Sequence, residues 1–182
     1  VPHGRVAHVQ LHRTRGAQFH VSGIPWTAGR SALSRIYAAF ECCDLPRISG
    51  AFTLHIRPTH QLKDNTALDL PIALALLGHA NAIPAKALRR IFSAGELELD
   101  GQVQPPAGME QHMEIHAPSE LPVEAILLPD GLGQKIACWG APGKALRTNH
   151  LIQAVDYLQG RQTLPSIAKK NDWLQALGQD IT

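Results

Sequence analysis

The chain has 182 residues, of which 45% are hydrophobic and 18% charged; this is the balance of one folded domain with a sizeable core, and it excludes disorder and a pair of large domains. Seventeen Lys and Arg against fifteen Asp and Glu leave a formal charge of +2, too small to announce nucleic-acid binding by composition. The longest apolar stretch, residues 70–77, falls far short of the roughly 20 residues that cross a bilayer, and no charged-then-apolar segment opens the chain, so a cytoplasmic protein without membrane contact is expected.

Residues 5–11 and 18–24 each alternate as half-buried strands do, and the turn residues Thr14, Arg15 and Gly16 between them predict an opening hairpin. From Ser31, the residues Leu33, Ile36, Tyr37 and Phe40 recur at helical spacing, predicting an amphipathic helix that ends near Asp44 and Pro46. Residues 51–57 read as a strand stopped by Pro58. After a polar loop, Asp69 is expected to cap a helix with Pro71 in its first turn, where a missing N–H costs nothing. The body of that helix, residues 72–77, is apolar all round and predicts burial.

Residues 91–99 and 103–105 flank Asp100-Gly101, a dipeptide suited to a tight hairpin turn. Residues 108–116 read as a short helix, 125–128 as a buried strand and 144–147 as a last strand. Thr148 or Asn149 is expected to cap a helix carrying Leu151, Ile152, Val155 and Leu158 that stops at Gly160. Residues 166–177 suggest one more helix. The fold class is therefore α+β or α/β with a mixed sheet. Residues 1–160 are assigned to one domain and 161–182 to a helical extension or linker. Cys42, Cys43 and Cys138 lack both a disulfide framework and metal-binding spacing, so they read as reduced thiols. A start at Val1 rather than Met marks the chain as a piece of something longer.

Several segments in fixed order resemble the amino-terminal domain of the magnesium-chelatase-like AAA+ proteins of the ComM (YifB) competence type. They begin with Phe19-His20-Val21-Ser22-Gly23-Ile24-Pro25 and continue with Arg35-Ile36-Tyr37-Ala38-Ala39-Phe40. The strongest blocks are Lys63 followed by Leu68-Asp69-Leu70-Pro71-Ile72-Ala73-Leu74-Ala75, and Gly95-Glu96-Leu97-Glu98-Leu99-Asp100-Gly101. The resemblance runs from Val6 to Gly160. It implies the Lon-protease-like fold shared with a small-subunit ribosomal protein domain. His55-Ile56-Arg57-Pro58-Thr59-His60 and residues 108–122 depart from the family's pattern.

The related Lon peptidases cut with a Ser-Lys dyad in which lysine takes the serine proton. Carried over residue by residue, the resemblance puts Ala67 at the nucleophile position and Glu110 at the lysine position, so neither catalytic group is present. The displaced alternative is Thr66 or Ser93 acting with Lys63. Glu96 and Glu98 read as a solvated strand face rather than an acid–base pair. His112 and His116 stand four apart, but the metalloprotease order H-E-x-x-H is absent and no third ligand is evident, so no metal site is expected. Gly140-Ala141-Pro142-Gly143-Lys144 lacks the first glycine and the Ser or Thr of a phosphate-binding loop and reads as a turn.

With no Walker motif in the chain, ATP and magnesium are expected only in a linked AAA+ module. The expectation is a non-catalytic accessory domain that packs against an AAA+ ATPase module or its subunits, with a homo-oligomer and DNA as further partners. Arg13, Arg15, Arg57 and Lys63 are the candidate DNA-contacting residues. Asp69, Pro71, Gly95, Glu96, Asp100 and Gly101 carry the structural motif. The alternatives are a divergent Lon-like peptidase and a subunit of a metal-chelatase complex.

Overall fold

The computed structural model describes residues 7–16, 19–57, 66–106, 123–132 and 144–167. Strands β1 (His8–Arg13), β2 (Phe19–Ser22) and β3 (Phe52–Arg57) form the first sheet. The expected opening hairpin is not formed: β3 lies between β1 and β2, antiparallel to the first and parallel to the second. Burial explains the order. Phe52, Leu54 and Ile56 of β3 are all buried, whereas β1 and β2 alternate between half-buried and exposed positions, so the most apolar strand takes the centre. The parallel β2–β3 pair also needs a crossover. Helix α1 (Trp26–Cys42) supplies it.

Helix α1 starts earlier than its apolar spacing predicts, directly after Pro25, which holds the cap position in an extended conformation (φ −55°, ψ 139°) and makes no side-chain capping bond. Its buried residues Leu33, Ile36, Ala39 and Phe40 form one stripe against the core. Helix α2 (Asp69–His79) follows a 3-10 turn at Thr66–Leu68 and, as its composition predicts, is buried along its length. It packs on α1 and β1, on the short helix α3 (Ala85–Leu88), and on strands β4 (Ile91–Ser93) and β5 (Glu96–Leu97).

The expected strand over residues 91–99 is two strands in two sheets. Strand β4 runs parallel to β7 (Ala125–Leu128), which pairs in parallel with β8 (Lys144–Arg147). Strand β5 pairs antiparallel with β6 (Val103–Gln104). The break falls at Gly95 because its backbone is used elsewhere: its N–H donates to Ala67 O at 3.0 Å and its carbonyl accepts from Leu70 N at 3.1 Å. The β5–β6 turn is as expected, with Gly101 at φ 90° and Asp100 Oδ1 accepting from Gln102 N at 3.0 Å. The class is thus mixed α+β, with the strands among the described residues distributed over three small sheets.

Helix α4 (Leu151–Leu158) closes the core with Leu151, Ala154, Val155 and Leu158. Its cap is neither Thr148 nor Asn149. His150 holds that place, its Nδ1 accepting from Ile152 N at 3.2 Å. Thr148 is fully buried, and the Asn149 side chain is turned to Asp130, accepting from its N–H at 2.8 Å and donating to Oδ2 at 2.7 Å. Beyond α4, Leu164 is buried and Ser166 bridges Leu146 of β8, so residues up to 167 pack on this sheet. The helices expected over 108–116 and, beyond 167, over 166–177 lie outside the described residues, as does the turn at 140–143.

Two substitutions test this account. Gly23 has φ +97°, and a Cβ there would collide with the Ile56 carbonyl, so Gly23→Ala is expected to cost more than about 2 kcal/mol in urea unfolding, strain and clash together. His150→Ala is expected to cost about 1 kcal/mol, the usual effect of deleting an N-cap, while His150→Asn keeps a capping oxygen and restores most of it. An unchanged midpoint for either damaging variant would remove the corresponding contact from the account.

Candidate functional site

Of the motif residues, Asp69, Pro71, Gly95 and Glu96 meet at the start of α2, whereas Asp100 and Gly101 turn the β5–β6 hairpin beside Cys43 and His150. Asp69 is the first residue of that helix and only 1% exposed. It does not act as the cap; Leu68 holds that place and makes no side-chain capping bond. The carboxylate turns instead to Arg35 of α1, whose Nε donates to Oδ2 at 2.8 Å and whose Nη2 donates to Oδ1 at 3.0 Å. Leu97 N of β5 donates to Oδ2 at 3.3 Å. One carboxylate therefore joins α1, α2 and β5, and still benefits from the positive end of the α2 dipole.

Thr66, in the 3-10 turn, donates its hydroxyl to Glu96 Oε2 at 2.7 Å. The reading of Glu96 as a solvated face is therefore corrected: it is half-buried and bonded, because the Gly95 backbone bonds draw β5 against the turn, while Glu98 is exposed as expected. Ala67 in the same turn is buried, and its methyl side chain carries no attacking group. Beside this joint a cleft of about 240 Å³ opens between α1 and the start of α2. Ile24, Ala28, Leu68 and Ile72 give it apolar walls, and Arg35, Asp69 and Thr66 line its polar side.

Of the candidate DNA contacts among the described residues, Arg13 and Arg57 do not share a patch. Arg13 stands opposite Phe52 and Arg57 opposite His8 in the β1–β3 ladder, which puts the two arginines about 17 Å apart, at opposite ends and on opposite faces. Arg15 is exposed just past the end of β1, near Arg13 in sequence. Lys63, Glu110, His112 and His116 lie outside the described residues. Ser93 ends β4 and is half-buried. The outer face of the first sheet instead gathers His8, His12, His20 and His55, with Ser22 Oγ 2.7 Å from His55 Nδ1. Among the described residues no group of three or more His, Cys, Asp or Glu is placed to hold a metal ion. No helix among them is long and apolar enough to cross a membrane.

Arg35 is the residue the sequence reading missed as a site residue. The available signal was Arg35 next to Ile36 in the apolar stripe of α1, together with a later helix whose first residue is acidic. Electrostatics gives the pair two opposing pulls. Burial pushes the Asp69 carboxyl above its usual range, and the Arg35 and Leu97 hydrogen bonds draw it back only in part. The same hydrogen bonds, with Asp69, Glu96 and Glu98 nearby, hold the Arg35 guanidinium above its ordinary value. A raised carboxyl pKa contributes stability that is fully present below the ordinary carboxylate range and is lost as pH rises through the raised value.

Replacing Arg35 by alanine raises the Asp69 carboxyl further by removing the main opposing pull. At pH 7 Arg35→Ala is expected to cost about 3 kcal/mol, the low end for breaking a buried pair because Arg35 is 26% exposed. The deficit shrinks as acid protonates Asp69 in the folded variant. Urea unfolding at pH 7 and pH 4.5 checks this; equal deficits at both would show that Asp69 is not the group left unpaired.

With this geometry in place, comparison with known proteins is informative. The family described as subunit ChlI of Mg-chelatase matches residues 9–131. The uncharacterized protein Mb2921c of Mycobacterium bovis and the uncharacterized protein Rv2897c of Mycobacterium tuberculosis are each 28% identical over 107 residues. The match covers 58% of this chain and 21% of either relative, so the chain spans about a fifth of the length of the curated relatives it matches. A family match across more than half of its length, centred on the helix and hairpin that Asp69 joins, means that the chain belongs to the family of the ChlI subunit of magnesium chelatase.

Proposed function

We propose that this chain is a non-catalytic accessory domain of a magnesium-chelatase-like AAA+ ATPase of the ComM type, supporting ring assembly and the handling of DNA in recombination or transformation. The observation that carries the reading is the fate of the motif residues. Asp69 and Gly95 hold α2 against β5, and Ala67 is buried where a Lon peptidase has its nucleophile. Such a joint holds helices in place, and an alanine offers no group able to attack a substrate. ATP and magnesium belong to the linked AAA+ module in this reading, and that module or its subunits are the partners.

The DNA role rests on Arg13 and Arg15 at one end of β1, with Arg57 as a separate point of contact and Lys63 as the fourth candidate. Fluorescence anisotropy of labelled single-stranded and forked DNA across a salt series tests it. Binding is expected to weaken steeply with salt, and Arg13→Ala with Arg15→Ala is expected to lower the slope of log affinity against log salt by about 2. No binding at tens of micromolar protein would remove the DNA role and leave ring assembly as the function.

A divergent peptidase is the second reading, favoured by the Thr66 hydroxyl donating to Glu96. Lys63→Ala separates the two, since a catalytic base takes all turnover with it. The description of the matching family favours a third reading, a subunit of a metal-chelatase complex.

A further inference from the structure

The outer face of the first sheet carries more than a solvated face requires. The register sets His8 beside Arg57 in one row, His55 beside Ser22 in the next, and His12 and His20 on either side of Thr53 in the third. His55 therefore stands on the central strand, with His8, His12 and His20 each one row and one strand away, about 8 Å by sheet geometry. His8, His12, His20 and Arg57 are exposed, and His55 is half-buried with its Nδ1 2.7 Å from Ser22 Oγ. The inner face of the same strands packs on the core through Phe52, Leu54 and Ile56, so the imidazoles are left to face outward. None of the three strands contains Asp or Glu.

Chemistry narrows what such a face can hold. A shared metal ion is excluded among the described residues, where no three ligating groups are placed to hold one. Duplex DNA is held by a row of cations that neutralise its phosphates, and this face offers one arginine. An unpaired strand is held differently: its bases stack on flat rings, histidine among them, a cation takes the backbone, and carboxylates that would repel it are absent. We propose that this face is a stacking platform for single-stranded DNA. Bases lie on His12, His20 and His55, whose ring is tied by Ser22, and Arg57 takes a phosphate at the His8 end of the face. The assignment rests on the DNA-handling reading and adds to it the surface used and the form of DNA preferred.

Fluorescence anisotropy with the whole chain tests this, using a labelled oligothymidylate and its duplex with oligoadenylate. The single strand is expected to bind at least fivefold more tightly than the duplex. Replacing both exposed rings, His12→Ala with His20→Ala, is expected to weaken single-strand binding at least tenfold. His12→Phe with His20→Phe keeps flat rings at both positions and is expected to stay within threefold of the unaltered chain. Lys86→Ala, exposed on α3, is expected to change binding less than twofold. Tighter binding of the duplex, unchanged binding by the double alanine variant, or phenylalanine variants as weak as the alanine ones would each overturn the platform while DNA binding itself stands. Competition by polyglutamate as effective as by unlabelled oligothymidylate would point to an acidic protein surface and overturn it too. Failure of the unaltered chain to bind either DNA would overturn the DNA-handling reading and the platform with it.

Discussion

A carboxylate that is 1% exposed has to be compensated where it stands, because an isolated buried charge costs several kcal/mol. Asp69 meets that condition with three donors from two other elements: two guanidinium N–H groups from α1 and one backbone N–H from β5. Each donor has to sit within hydrogen-bond reach, so the relative placement of α1, α2 and β5 is fixed by one side chain. The two Gly95 backbone bonds add a second tie, from the residue just before β5 to Ala67 of the 3-10 turn and to Leu70 of α2. These bonds also explain why the chain between β4 and β5 leaves one sheet and joins another.

Around this joint the hydrophobic core is organised by α2. A helix apolar on every side cannot face water, so it is covered by β1, α1, α3, β4 and β5 in turn. The first sheet then needs its most apolar strand in the middle, and α1 provides the crossover that a parallel β2–β3 pair requires. The same packing builds the cleft. It forms where α1 and the start of α2 diverge above Leu68 and Ile72, with the Arg35–Asp69 pair at its polar side. The joint and the cleft therefore share Arg35, Asp69 and Thr66, and a change at the joint reaches both.

The function carried by this arrangement is read from what occupies the positions of a known chemistry. Ala67 stands buried in the turn before α2, and Thr66 beside it is committed to Glu96. Of the basic residues that suggested a nucleic-acid surface, Arg13 and Arg57 stand at opposite ends of one ladder. Family membership rests on the helix and hairpin blocks, which lie inside the matched residues 9–131.

The amino-acid sequence determined the elements whose causes are local. The all-apolar run after Asp69 and Pro71 made a buried helix, the stripe of Leu33, Ile36 and Phe40 made an amphipathic one, and Asp100-Gly101 made a turn at positive φ. It also held the blocks that identify the family. Tertiary structure alone decided what depends on contacts between distant segments. Residue order brings β1 and β2 together, but burial of Phe52, Leu54 and Ile56 put β3 between them. Asp69 looks like a helix cap in sequence, yet 34 residues separate it from the arginine that claims its carboxylate. Local spacing cannot report such a partner, because the desolvation that drives the pairing exists only once α1, α2 and β5 have closed over the carboxylate.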